Sequence, residues 1–167
     1  SIFFLLLSVS GSYANRTDSL LKIISESGSE IERYHAMAVL AGDLMPGELD
    51  SAKVLLEKSS PLAQSQHLPV ERTAWLNLAG NYNWFTGKQD SAIVNYSITF
   101  NTRHPEVTDR RAAAAINLAS LYNSKGLLDS ARYYYSTAQE LFEQIGDQTG
   151  LSHVSYAQAL FYHRDRK

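Results

Sequence analysis

A short pattern, Gly-x-x-Asp-Ser-Ala, occurs three times in this 167-residue chain and constrains its fold more than any other feature. The copies begin at Gly47, Gly87 and Gly126. A near-constant period of about 40 residues is typical of proteins built from one repeated structural unit. The sequence therefore predicts a repeat protein in which each repeat contains one copy of the pattern.

Apolar residues flank each copy at helical spacing, which predicts a helix on either side of it. The apolar stripes that follow the three copies are Ala52, Leu55 and Leu56; Ala92, Ile93, Tyr96 and Phe100; and Ala131, Tyr134, Tyr135, Ala138, Leu141, Phe142 and Ile145. No segment alternates apolar and polar residues over a useful length, so we predict no strands. Each repeat is expected to be a first helix, a tight turn and a second helix.

Three of the four fixed residues of the pattern, the glycine, the aspartate and the alanine, have expected structural roles in such a repeat. The glycine permits a positive φ or a close approach of two backbones in the turn. The aspartate is expected at the start of the second helix, where its carboxylate can accept hydrogen bonds from unpaired amides. The alanine is small enough for two helices to cross closely. The residues are Gly47, Gly87 and Gly126; Asp50, Asp90 and Asp129; and Ala52, Ala92 and Ala131.

The segments around the second and third copies resemble the tetratricopeptide signature. The second repeat shows Trp75-x-x-Leu78-Ala79-x-x-Tyr82, then Ala92-x-x-x-Tyr96, with one residue more than the family has between Tyr82 and Gly87. The third repeat keeps the family's intervals throughout, at Ala115, Leu118, Ala119, Tyr122, Gly126, Ala131, Tyr135 and Ala138.

Two further repeats are weaker. The first has Met37, Leu40, Ala41 and Leu44 before Gly47, which is one residue short. A partial fourth repeat follows residue 147, with an apolar stripe of either Val154, Ala157 and Phe161 or Tyr156, Ala157 and Leu160. Because that last helix has an apolar face and no second helix after it, we expect this chain to be one section of a longer array.

The resemblance implies an all-α fold, a right-handed α-α superhelix of antiparallel helix pairs. The repeats are expected at residues 30–68, 69–106, 107–146 and, in part, 147–167, after a capping helix over residues 15–29. The period is longer than the family's usual length of about 34 residues. In this respect the chain resembles the exported repeat domains of bacterial sensor kinases and regulators.

The resemblance also implies binding of a protein or peptide, because the first helices of such an array line its inner face. The candidate contacts on the first helices are Asn77, Asn83, Trp84, Asn117 and Asn123, of which Asn77 pairs with Asn117 and Asn83 with Asn123 at matching positions. Tyr133 is a further candidate, since the core stripe leaves it free. The alternatives are asparagines that cap or bridge neighbouring helices, and a Trp84 side chain buried against the turn.

Composition and motifs argue against other functions. Fifteen Lys and Arg against seventeen Asp and Glu give a net charge of -2, which offers no net attraction to nucleic acid. The chain has no cysteine, and its five histidines are scattered, so we predict no metal site and no cofactor. No catalytic motif is complete: His163-Arg164-Asp165 lacks the other elements of a kinase site. We predict that the chain is not an enzyme.

Residues 1–14 resemble the remnant of an export signal. An apolar run from Ile2 to Leu7 is far shorter than the roughly 20 residues of a membrane span, and Ser12-x-Ala14 suits cleavage after small residues. The alternative is a buried N-terminal helix. We therefore expect a periplasmic or cell-envelope location, with any membrane attachment through sequence outside this chain. The predicted role is the sensing or interaction region of a larger signalling protein; the alternative is an envelope assembly scaffold without signalling output.

Overall fold

The computed structural model describes residues 15–64 and 68–165, and within these ranges the protein contains α-helices, one short 3₁₀ helix and no strand. The predicted all-α class is confirmed. The helices are α1 (residues 15–26), α2 (Glu30–Leu44), α3 (Leu49–Ala63), α4 (Pro69–Phe85), α5 (Gln89–Asn101), the 3₁₀ helix (Pro105–Val107), α6 (Thr108–Ser124), α7 (Leu128–Ile145) and α8 (Gln148–Asp165). None of the described helices is long and apolar enough to cross a membrane. The predicted export signal, residues 1–14, lies outside the described residues.

The chain divides into two compact bodies, with the boundary between Leu62 and Ala63. In the N-terminal body, Arg16 of α1 lies 3.3 Å from the carboxylate of Asp43 of α2. Ser29 caps α2 by accepting a hydrogen bond from the amide of Glu32. The buried apolar side chains of this body are Tyr34, Ala36, Leu40, Ala41, Ala52 and Leu56.

The C-terminal body consists of consecutive helix pairs. We call α4, α6 and α8 the first helices and α5 and α7 the second helices. Each of these helices packs against the next one in the chain, and the first helices also contact one another, α4 with α6 and α6 with α8. This packing is consistent with a helical repeat. The right-handed superhelix stays a prediction.

Two of the three pattern glycines end a first helix in the same way. Gly87 and Gly126 have φ angles of 76° and 75°. The amide of Gly87 donates to the carbonyl of Trp84, and the amide after it, of Lys88, donates to the carbonyl of Asn83. The bonds around Gly126 are identical, at the equivalent positions of the next repeat. This is the Schellman arrangement that ends many helices, and it confirms the predicted positive φ at both positions.

Gly47 does not follow this arrangement, so the prediction for it is wrong. Its φ is not positive, and a Cβ on it would meet only the carbonyl oxygen of Leu44, at 3.9 Å. Pro46 precedes Gly47, at the position where Thr86 and Lys125 donate backbone hydrogen bonds in the other turns. Proline has no N–H to donate. The shorter first repeat therefore closes its turn with different hydrogen bonds.

The register of the second repeat is corrected by one residue. The buried residues of α4 are Thr73, Leu76, Ala79 and Gly80, and their equivalents one repeat later, Ala112, Ala115, Leu118 and Ala119, are buried in α6. No extra residue lies between α4 and Gly87. The signature positions are therefore Leu76, Ala79, Gly80 and Asn83, while Trp75, Leu78 and Tyr82 are only partly buried.

Gly80 explains why the register predicted from the sequence was wrong. A Cβ on Gly80 would overlap the ring of Tyr96, a residue of α5 that is itself fully buried. The position demands the smallest residue because the two helices cross there. Trp75 and Tyr82 are residue types that the family signature contains, but each lies one residue before the true signature position. The sequence pattern therefore predicted a register that is wrong by one residue.

The second helices largely follow the predictions. Ala52, Ala92 and Ala131 are completely buried, and so are Tyr96 and, nearly, Tyr135. Ile145 is the exception: it is the last residue of α7, and its side chain is exposed. In α8, the stripe with Val154 and Phe161 is buried, whereas Tyr156 and Leu160 are exposed.

The pattern aspartates lie in the first turn of the second helices, as predicted, but Asp90 does not cap its helix. The N-cap residues are Lys88 and Leu127, and neither makes a side-chain cap hydrogen bond. The carboxylate of Asp90 instead accepts a hydrogen bond from Nζ of Lys125, at 2.7 Å. This contact joins the turns of the second and third repeats.

Candidate functional site

The first helices of the C-terminal body place side chains of successive repeats in rows. Since α4 and α6 share one register and contact one another, equivalent side chains lie side by side on these two helices, and α8 lies against the other side of α6. Two rows matter for function. We call Trp84 of α4, Asn123 of α6 and Tyr162 near the end of α8 the aromatic row, and Asn81 of α4 and Ser120 of α6 the polar row. Positions 81 and 84 are on the same face of α4, because residues three apart are neighbours on a helix.

The polar row contacts the second helices. Oδ1 of Asn81 accepts a hydrogen bond from the hydroxyl of Tyr96 at 2.6 Å, and the hydroxyls of Ser120 and Tyr135 lie 3.2 Å apart. Burial raises the pKa of Tyr96 well above its ordinary value, so its hydroxyl stays protonated and donates. Sequence reasoning missed Asn81. The signal was present, since Asn81 and Ser120 precede their tyrosines by the same interval.

Asn77 and Asn117 bridge neighbouring first helices. Nδ2 of Asn77 donates to the carbonyl of Arg110, at the start of α6, at 3.1 Å. Nδ2 of Asn117 donates to Oδ1 of Asn81 at 3.4 Å. These hydrogen bonds hold α4 against α6, which is the structural alternative considered for the asparagines. The two residues are not at matching positions: in the corrected register, Asn77 corresponds to Ile116.

Asn83 and Asn123, the second predicted pair, are also not at matching positions in the corrected register. Asn83 corresponds to Tyr122, and Asn123 corresponds to Trp84. In the part of the chain that the structure describes, the side chain of Asn123 makes no hydrogen bond, so both its amide donors and its carbonyl oxygen remain available. Asn83 is partly buried and accepts through its backbone carbonyl from Lys88.

The aromatic row is open to solvent at both ends. Trp84 is 36% exposed and Tyr162 is 48% exposed, while Asn123 between them is half-buried. Phe85, next to Trp84 at the end of α4, is also exposed. No inserted turn covers Trp84, because the corrected register contains no insertion. The row carries no charged residue.

Tyr133 lies elsewhere, on α7. Its ring meets that of Tyr134 edge to face at 5.1 Å, and Tyr134 stacks on Tyr122 at 5.5 Å. Burial, with the neighbouring tyrosines, raises the pKa of Tyr134. The exposed ring of Tyr133 is thus the outer member of an aromatic cluster on a second helix, and it is not part of the aromatic row.

Charged groups cluster at the turns and not along the rows. An open depression of about 380 Å³ is lined by Gly87, Lys88, Gln89, Asp90, Ser91 and Lys125. The hydrogen bond and the charge of Lys125 lower the pKa of the Asp90 carboxyl. Among the described residues, no group of three His, Asp or Glu side chains is placed to hold a metal ion. The depression contains the ion pair between Asp90 and Lys125.

Comparisons with models of known protein families, with curated proteins and with solved structures found no match for this chain. Function is therefore inferred from the geometry of the C-terminal body and from the repeat pattern.

Proposed function

We propose that this chain is a tetratricopeptide-like domain that binds a protein or peptide and catalyses no reaction. The observation that carries the proposal is the aromatic row: Trp84 and Asn123 occupy equivalent positions of the contacting helices α4 and α6, and the exposed ring of Tyr162 lies near the end of α8, which also contacts α6. Exposed aromatic anchors near hydrogen-bonding groups are typical of peptide-recognition surfaces.

The dimensions of the row suit an extended peptide. Packed helix axes lie about 8–10 Å apart, so three first helices span roughly 18 Å. An extended chain rises about 3.3 Å per residue, so roughly five or six residues would cross this distance. The carboxamide of Asn123 can both donate to and accept from a peptide backbone, and the rings of Trp84 and Tyr162 can cover apolar side chains.

The absence of charge along the row defines the ligand further. Recognition would depend on backbone hydrogen bonds and apolar contacts, so affinity should change little with ionic strength. The ligand class is therefore an extended segment with apolar side chains near each end.

We also propose that the domain adopts the tetratricopeptide superhelix and serves as the sensing or interaction region of a larger exported signalling protein. The long period and the apolar segment Ile2 to Leu7 support this setting. The reading frame of the intact gene tests it. A basic segment ahead of the apolar run, with a membrane span and an output domain downstream, is expected; further repeats alone would favour the envelope scaffold.

The binding proposal is tested by selecting peptides from a random library on the purified chain and measuring the affinity of a selected peptide by fluorescence anisotropy. Trp84→Ala should weaken binding by about tenfold or more, since aromatic anchors dominate such interfaces. Tyr133→Ala removes a comparable exposed ring outside the aromatic row and is the control. Failure to select any peptide, or equal losses in both variants, would contradict the proposal.

A further inference from the structure

A short chain of hydrogen bonds connects a buried tyrosine of α5 to asparagines of α4 and α6. The hydroxyl of Tyr96, which is fully buried, donates to Oδ1 of Asn81 of α4 at 2.6 Å. The same oxygen accepts a second hydrogen bond, at 3.4 Å, from Nδ2 of Asn117 of α6. Both lone pairs of this oxygen are therefore used within the protein.

The nitrogen of the Asn81 carboxamide has no partner in the protein. Nδ2 of Asn81 makes no hydrogen bond within residues 15–64 and 68–165. The buried side-chain atoms that lack a partner in these ranges belong to Asn77 and Thr99, so Nδ2 of Asn81 reaches solvent. Asn81 thus presents two N–H donors at the surface of α4, while its acceptor oxygen is turned inward.

Tyr96 decides which end of the Asn81 carboxamide points outward. The oxygen and nitrogen of an asparagine side chain are nearly equal in shape, so hydrogen bonds determine its orientation. If the carboxamide turned over, its nitrogen would face the Tyr96 hydroxyl, and the hydroxyl proton would lose its acceptor. Among the described residues this hydroxyl has no other partner. An unpaired donor at a fully buried position is unfavourable, so the nitrogen of Asn81 is held outward.

The outward nitrogen of Asn81 lies beside the aromatic row. Asn81 and Trp84 are on the same face of α4, and a rise of about 1.5 Å per residue places them roughly 4.5 Å apart along its axis. A ligand segment that covers the ring of Trp84 would therefore also pass over Asn81. At the equivalent position of α6, the hydroxyl of Ser120 lies 3.2 Å from that of Tyr135. The position thus has a carboxamide in the second repeat and a hydroxyl in the third.

The chemistry of the Asn81 donor selects the ligand group opposite it. Two N–H groups require an acceptor, so an ammonium or guanidinium group, which can only donate, does not fit there. The aromatic row carries no charged residue that would attract a carboxylate. An extended peptide, in contrast, turns a backbone carbonyl toward each side at every second residue. A neutral backbone carbonyl is therefore the acceptor that suits this position.

We propose that Asn81 is a specificity-determining residue, which donates a hydrogen bond to a backbone carbonyl of an extended peptide bound along the aromatic row. Tyr96 is the positioning residue that keeps this donor directed at the ligand. The proposal rests on the peptide-binding function proposed above. It names the ligand group that lies over Asn81, a carbonyl oxygen, and excludes a donor at that place.

Asn81→Asp tests the donor, because it keeps both inward hydrogen bonds and replaces only the outward nitrogen by an oxygen. Fluorescence anisotropy measures its affinity for a peptide selected on the wild-type chain. The affinity should fall by about tenfold or more, since two acceptors would then face one another. Gln89→Glu makes the same chemical change at an exposed position of α5 and should bind like the wild type. Circular dichroism should show unchanged helicity in both variants.

Tyr96→Phe tests the positioning role, because it removes the hydroxyl and leaves the ring. The carboxamide of Asn81 would then adopt both orientations, so the affinity should fall by about twofold or more. Tyr135→Phe is the matched control, since it removes the corresponding hydroxyl in the third repeat, beside Ser120, and should leave the affinity unchanged. Equal affinities of the two variants would overturn the positioning role.

The ligand group is tested on the same peptide, in which each backbone carbonyl in turn is replaced by a thiocarbonyl, a weaker acceptor. One position should lose several-fold affinity for the wild type and little for Asn81→Ala, which measures their coupling. The absence of such a position, or an Asn81→Asp variant that binds as tightly as the wild type, would overturn this proposal. If binding then still depends on Trp84, the peptide-binding function stands; if no peptide can be selected, both proposals fail.

Discussion

The turn at Gly47 and the turns at Gly87 and Gly126 carry the same sequence pattern but differ in backbone conformation. At Gly87 and Gly126 a positive φ and two paired hydrogen bonds close the first helix. At Gly47 neither feature is present, because Pro46 removes a donor and the first helix, α2, has 15 residues where α4 and α6 have 17. The pattern therefore predicts where a second helix begins, while the conformation of its glycine depends on the residue before it.

The second and third repeats, in contrast, share one register from the first helix through the turn to the second. Every position that is buried in α4 is also buried in α6, and the turn hydrogen bonds and tyrosine contacts recur at the same spacing. Two repeats with the same register can pack against one another through equivalent positions. The following predictions test the equivalence of the second and third repeats and the different conformation of the turn in the first repeat.

The largest effect is expected at the helix crossing. Gly80→Leu should lower the free energy of unfolding by about 3 kcal/mol, because its side chain would overlap the buried ring of Tyr96. Urea denaturation followed by circular dichroism measures this loss. Ser136→Leu, at an exposed position of α7, is the control and should stay within about 0.5 kcal/mol of the wild type. A neutral Gly80→Leu would show that the corrected register is wrong.

The contrast between the turns predicts a smaller effect. Gly126→Val should cost about 2 kcal/mol, since a β-branched residue is strained at a φ of 75°. Gly47→Val should cost less than about 0.5 kcal/mol, because its φ is not positive and its surroundings are open. Equal losses in the same urea experiment would contradict the difference described between these turns.

The hydrogen bond from Asn117 of α6 to Asn81 of α4 provides a third test. Asn117→Ala should cost about 1 kcal/mol of stability, because Asn81 loses a donor between α4 and α6. Asn123→Ala should leave the thermal midpoint nearly unchanged and weaken peptide binding instead. If Asn117→Ala weakens binding while stability is retained, then Asn117 belongs to the ligand surface as the sequence predicted.

The smallest effect concerns pH. The folded-state pKa of Asp90 lies below 3.8, because Lys125 bonds to its carboxylate. This stabilisation is present above pH 3.8 and is lost as the pH falls through the lowered pKa. Carbon NMR titration of Asp90 should show its pKa returning toward 3.8 in Lys125→Met. An unchanged pKa in that variant would mean that the ion pair is not formed in solution.

The accuracy of the sequence-based predictions varied with the kind of interaction involved. Ala92 and Ala131 were correctly placed in the core because three identical patterns at near-constant spacing define a helix face without knowledge of the partner helix. Trp75 and Tyr82 were misplaced because their apolar character fits two registers, and only the contact between Gly80 and Tyr96 distinguishes them. Asn81 was missed because its role depends on a tyrosine of another helix.

In the candidate site, too, the sequence identified residues correctly but not the relationships that depend on contacts between helices. Trp84 and Asn123 were identified from sequence, but Asn123 was paired with Asn83 instead of Trp84, since a shift of one residue changes which positions are equivalent. Asn77 and Asn117 were candidates for ligand contact, and only the tertiary structure reveals that their amides join α4 to α6. Their contact with a ligand stays a prediction.

By itself, the sequence determined the helical class, the repeat period and the start of each second helix, because these follow from local patterns of apolar, small and turn-forming residues. The tertiary structure decided the register of α4, the conformation at Gly47 and the partner of Asp90. It also decided which side of α8 is buried: Val154 and Phe161 face the core, and Tyr156 and Leu160 face solvent. Both stripes satisfy helical periodicity, so only packing against the neighbouring helices could choose between them.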